Sequence, residues 1–174
     1  MGGLTSLNKG KRGEREVIKL LQPIVDKVYR EVGWEIPKLQ RNTMQSDAGG
    51  FDIAGLEWLA LEVKLHAAAN HSKIESWWQQ TVRQAWGGQD GDGWQVLGGK
   101  QTQVPVLIWR VDKGQWNVVT MVSIPITTRI RVKARATLSV HDWLVWFENR
   151  LRAQVQAIAN GIDDKMAPPP PPGW

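Results

Sequence analysis

Gly50-Phe51-Asp52-Ile53-Ala54-Gly55, followed by Leu61-Glu62-Val63-Lys64, is the stretch on which the reading of this chain turns. An acid opens one short apolar run; after a turn, an acid and a lysine two apart sit on the next. Successive strand residues point to opposite faces, so Glu62 and Lys64 share one face while Leu61, Val63 and Leu65 take the other. A hairpin of the two runs sets Asp52 across from that pair. Two carboxylates and an ammonium then meet at one edge of a small sheet. Carboxylates so placed suit a hard divalent cation such as Mg²⁺, which prefers oxygen ligands and keeps several waters. Metal-assisted hydrolysis of a phosphodiester needs that arrangement. The alternative is a solvated surface hairpin, since acid-x-lysine is common by chance.

The N-terminal segment adds a third acid. Val17, Ile18, Leu21, Val25 and Val28 recur at helical spacing and define an apolar stripe. Glu14 falls on that stripe, where a carboxylate is costly unless a cation or hydrogen-bond donors meet it. A first-turn glutamate complementing the helix dipole is the other reading, and Glu16 suits it better. Pro23 is expected to kink this helix or end its first segment, because it cannot donate to the preceding turn.

With these residues assembled, the chain resembles the PD-(D/E)XK nuclease superfamily, specifically the archaeal-type and phage Holliday-junction resolvases. The matching features are Lys9-Gly10, Glu14-Arg15-Glu16, Arg41, Asp52-Ile53-Ala54-Gly55, Glu62-Val63-Lys64 and the apolar run Val104 to Ile108. They follow the family's order and leave the C-terminal third uncovered. One position departs from the pattern: Phe51 stands where the motif's name has proline. The resemblance implies an α/β fold, a central mixed sheet flanked by helices around a restriction-endonuclease-like core. It implies a metal site from Glu14 (directly or through water), Asp52 and Glu62, with the Val63 carbonyl as a further ligand. Mg²⁺ is the expected ion, with Mn²⁺ substituting. Lys64 is assigned to orienting or activating the attacking water. Branched DNA and a homodimer cutting two opposing strands complete the expectation, with Lys9, Lys11, Arg12, Arg15 and Arg41 among the DNA contacts.

Trp77 to Ala85 resembles the helix that follows the catalytic hairpin in phage members. Ser72-Lys-Ile-Glu75 reads as its capping box, and Ile74, Trp77, Trp78, Thr81 and Ala85 as its packed face. Gln80 and Gln84 border that face, either reaching the site or a phosphate or simply solvated. His66 and His71 lack a third ligand for zinc, although either can approach a phosphate near the centre. Asp90-Gly-Asp92-Gly93 lies in a glycine-rich loop, Gly87 to Gln103, without the acids of a calcium site.

Composition agrees. The 174 residues carry a net charge of +5 with a pI of about 9.7, which favours a polyanionic partner. There is no cysteine, so disulfides and thiolate metal sites are excluded. No signal peptide is apparent and no apolar run is long enough to span a bilayer, so the expectation is no membrane and a cytoplasmic location, that of the host cell for a phage protein. The eleven tryptophans fall mostly in periodic segments, where core packing is their default role.

Strands are expected around Ile36 to Asn42, Val104 to Val111 and Trp116 to Val122, the last two joined by a turn at Asp112-Lys-Gly114. Thr128 to Arg135 alternates Arg129, Arg131, Lys133 and Arg135 with apolar residues. As a strand it carries its cations on one face over roughly 20 Å, where they meet DNA phosphates or protect an edge against aggregation. Ser139 to Asn160 reads as a helix with Ser139 as N-cap and an apolar side of Val140, Trp143, Leu144, Phe147, Leu151 and Val155. The expected division is a nuclease core with the basic strand over 1–135, a C-terminal helix on the core or a dimer partner over 136–166, and a disordered proline-rich tail over 167–174. Other readings remain: a related nuclease acting on flaps, ends or duplex, or a non-catalytic DNA-binding protein on this scaffold.

Overall fold

The computed structural model describes residues 3–42, 51–86, 103–127 and 131–160. The chain is α/β. Helix α1 (Gly3–Glu31) leads into the short strands β1 (Gln40–Arg41) and β2 (Ile53–Ala54). Then come β3 (Leu59–His66), helix α2 (His71–Trp86), β4 (Val104–Val111), β5 (Asn117–Pro125), β6 (Arg131–Ser139) and helix α3 (Val140–Ala159). The last four strands form one mixed sheet in the order β3-β4-β5-β6, and β1 pairs with β2 beside it. β3 and β4 are parallel, a pairing that requires a crossover, which α2 supplies. β4-β5 and β5-β6 are antiparallel.

The sheet is covered on both faces. On one, Val17, Leu21, Val25 and Val28 of α1 and Trp143, Phe147, Leu151 and Val155 of α3 pack on Leu61, Val63, Leu65, Val106, Ile108 and Val118. On the other, Trp77 and Trp78 of α2 pack on Leu107, Val119 and Met121. The α1 stripe and the apolar side of α3 are thus buried as their periodicity requires, and α3 closes the core of its own chain. Gly13 lets α1 approach β3 closely: a Cβ there would meet Leu65 Cβ at 3.2 Å and Val63 Cγ1 at 3.4 Å. That approach sets the next residue, Glu14, at the rim of the sheet.

Several boundaries differ from the sequence expectation. α1 runs through Pro23 without ending. The proline is exposed, so the carbonyl it cannot bond faces water. The strand expected over Ile36 to Asn42 contracts to Gln40–Arg41, because β2, its partner, is itself two residues long. α2 is capped by Asn70, not Ser72: the Asn70 side chain accepts from Lys73 N–H (2.9 Å), and Glu75 turns outward to Arg135. The turn between β4 and β5 is as expected, with Lys113 at φ 62° and Gly114 N–H bonded to Val111 O. Ser139 caps α3, accepting from Asp142 N–H. Segments 43–50 and 87–102, Arg129, and the tail expected to be disordered over 167–174 lie outside the described residues. Among those described, no helix is long and apolar enough to cross a membrane.

Candidate active site

β3 is an edge strand, and the turn from β2 folds back along its open side. Gly55 makes that turn at φ 109°, with no room for a Cβ against Leu39 and the Lys38 carbonyl. Asp52 N–H then donates to Leu61 O (2.9 Å), and Val63 N–H donates to the Asp52 carboxylate (2.6 Å). The N–H and C=O of a strand residue leave the same edge, so the Val63 carbonyl also faces the Asp52 side. The acid read from the sequence thus sits across from the Glu62–Lys64 pair, but β2 pairs with β1 and not with β3, so bonds from Asp52 itself stand in for the expected two-stranded hairpin.

Glu62 pairs in register with Leu107, which places its side chain under α2. It is 2% exposed. Its Oε1 is met by Lys64 Nζ and by Gln80 Nε2 at 3.3 Å. Its Oε2 is buried with no partner among the described residues. Burial first, and the Asp52 charge second, push the Glu62 carboxyl up to about 7, against the opposing pull of Lys64. Glu14 contributes a weaker repulsion because its own carboxylate is turned to the Arg41 guanidinium. Arg41 is held there by β1, whose register pairs it with Ile53, next to Asp52.

Asp52, Glu62 and Lys64 are therefore drawn together, with Glu14 at the rim and Gln80 reaching in from α2. Gln84, one turn on, leaves its Oε1 buried and unpartnered. Each acid is answered within the protein: Glu14 by Arg41, Glu62 by Lys64, Asp52 by a backbone N–H. Among the described residues, no group of three or more His, Asp or Glu side chains is arranged, as it stands, to hold a metal ion.

The basic residues are mostly engaged. Lys9 pairs with Asp112, and Arg12 sits near both Glu16 and Asp112. Lys11 is partly covered and Arg15 exposed. On β6, Arg135 is bonded to Glu75 and lies 5.4 Å over the Trp78 ring; Arg131 donates to Ser123 (3.0 Å). The register places Arg131, Lys133 and Arg135 opposite Pro125, Ser123 and Met121, on the α2 face of the sheet. The cationic face and the Glu62–Lys64 face are thus the same side of the protein, a relation invisible in sequence because it depends on the pairing of β3 to β6 through two intervening strands. Sequence reasoning also missed the Glu14–Arg41 pair, since nothing local links residues so far apart.

The Glu62 shift predicts a pH dependence of stability. Between about pH 4.5 and 7 the folded state holds a proton that the unfolded state has lost, so stability falls as pH rises through that window, on the order of 3 kcal/mol in total. The carboxyls of Glu31, Glu75, Asp112 and Glu148 are lowered instead, and their contributions vary below that window. His66, also lowered, acts in the opposite sense below its ordinary range. Urea unfolding of the wild type and of Glu62→Gln across pH 4 to 8 separates these, because the groups common to both cancel and only the Glu62 contribution remains in the difference.

Comparison with family models, with curated proteins and with solved structures returned no match.

Proposed function

We propose that this chain is a Mg²⁺-dependent DNA endonuclease built on a restriction-endonuclease-like (PD-(D/E)XK) core, with branched DNA, above all the four-way junction, as its substrate. The observation that carries this reading is Glu62: a buried carboxylate, facing Asp52, with one oxygen on Lys64 and the other unpartnered. A buried anion so placed is costly unless a cation completes it. The donor set is all oxygen, which fits a hard ion. Asp52, Glu62 and the Val63 carbonyl would hold it, and Glu14 would act at one remove through Arg41 or a water. When bound, such an ion polarises the scissile phosphate and lowers the pKa of a coordinated water.

The chain's own residues supply the remainder. Lys64 holds Glu62 Oε1 and leaves Oε2 to the ion, so it can orient the attacking water beside that ion and balance charge as the water loses its proton. Gln80 fixes the Glu62 rotamer from α2. The net positive charge draws the polyanion in, and the β6 face extends the contact on the same side. A homodimer would set two such centres about a two-fold axis, matching a two-fold junction.

The test is cleavage of a synthetic four-way junction beside flap, duplex and single-stranded controls, with Mg²⁺ and with EDTA. Paired, Mg²⁺-dependent cuts in the junction are expected. Equal cleavage of duplex would move the reading to a nuclease without junction preference, and DNA binding without cleavage under any condition would leave a non-catalytic binding protein.

A further inference from the structure

His66 ends β3 two residues beyond Lys64, so Glu62, Lys64 and His66 project from one strand face. The imidazole lies on the Trp77 indole, with ring centroids 4.6 Å apart and planes 25° from parallel. Its own carbonyl accepts from Asp112 N–H at 2.8 Å. The residue is therefore fixed at its backbone by the turn after β4 and at its ring by α2. Lys73, one helical turn before Trp77, holds its Nζ 5.4 Å from the same indole.

The charges that act on the imidazole are all cationic: Lys73 from α2, Lys64 from β3 and Lys9 from α1. The carboxylate of the neighbouring turn, Asp112, is engaged by Lys9. Burial first, and these cations after it, hold the imidazole below its ordinary pKa, so at neutral pH it offers one N–H donor and one acceptor. Cations gathered about an immobilised imidazole repel one another, and an anion among them would relieve that repulsion.

We propose that His66 and Lys73 form a second phosphate subsite beside the cleavage centre, holding the backbone phosphate next along the strand from the one that is cut. Alternate residues of a strand are about 7 Å apart, so the step from Lys64 to His66 moves the grip from one phosphate to its neighbour. The subsite rests on the nuclease reading. It adds to it the direction in which the DNA strand leaves the centre: along β3, past Trp77.

The test uses the full chain and DNA in which a single phosphate beside the mapped cut is replaced by an uncharged methylphosphonate. The wild type should show KM raised roughly tenfold by that replacement, the loss of a charge-assisted hydrogen bond, with kcat little changed. His66→Ala combined with Lys73→Ala should show the same rise on normal DNA and no further rise on the neutral one. His66→Asn, which keeps an N–H donor, should recover most of the loss, and its melting temperature reports whether α2 stays packed. Independently of cleavage, the imidazole resonance of His66, assigned by its absence in His66→Asn, should titrate at higher pH when a short duplex is bound in EDTA. A methylphosphonate penalty equal in wild type and double variant, with the imidazole titration unmoved by bound DNA, would overturn the subsite. An imidazole that responds to DNA in a protein that cuts nothing would keep the subsite and remove the hydrolytic reading. No DNA binding at all removes both.

Discussion

Asp52→Asn and Glu62→Gln should each reduce DNA cleavage by at least about a hundredfold while leaving DNA binding intact or improved. The magnitude follows from position: changing a residue that merely orients a metal ligand already costs about 10–100-fold, and these two carboxylates are the proposed ligands themselves. Binding should not suffer, because each change removes a negative charge that faces incoming phosphate. Folding should survive as well. Glu62→Gln keeps the shape of a side chain that is 2% exposed, and it discharges a carboxylate that burial and Asp52 already hold near half-protonation at pH 7. Gln80 still has an amide oxygen to donate to. Asp52→Asn retains a carbonyl oxygen for the Val63 N–H, the bond that ties Asp52 to β3. Gel-shift affinity, melting temperature and single-turnover cleavage on one junction separate the terms. Metal-dependent cleavage near the wild-type rate in both variants would remove the site from consideration.

Much of this centre was legible because it is local. Asp52, Glu62 and Lys64 lie close together in the sequence, and the period-two rule alone puts Glu62 and Lys64 on one face. Glu14 was legible from the helical stripe it interrupts. What the sequence could not show was set by long-range pairing. Arg135 reads as a DNA-facing cation in its strand, yet α2 brings Glu75 and Trp78 to it. Glu75 reads as the acid of a capping box, yet Asn70 caps the helix and leaves Glu75 for Arg135. Both features come from one contact, Glu75 with Arg135. Pro23 does not end α1: it is exposed, so the bond it cannot make is lost to water and not to the core. Trp77, Trp78, Trp116 and Trp143 are buried as core packing requires, whereas Trp34 is exposed. The role of Trp77 as a platform for His66 depends on the crossover from β3 to α2, which no periodicity encodes.

Lys64→Ala should slow cleavage of bound DNA by about a hundredfold, the lower range for loss of a positioned proton-transfer group, with affinity changed far less. The structure adds a second consequence. Lys64 is 20% exposed and pairs with the Glu62 oxygen that Gln80 also reaches. Among the effects on Glu62, those of Lys64 are the ones that lower its pKa. Without the ammonium, burial and the Asp52 charge act unopposed and the carboxyl rises further above 7. The ionised form, which a cation needs, is then populated only at higher pH. The acidic limb of the pH–rate profile should therefore move upward in Lys64→Ala, so that part of the lost activity returns as pH is raised. Lys64→Arg keeps the charge and should leave that limb near its wild-type position, while the rate still suffers because a planar guanidinium does not reproduce the point charge of the amine. A lysine that only anchors phosphate would behave differently: affinity would fall, the rate within the bound complex would hold, and the acidic limb would stay where it was.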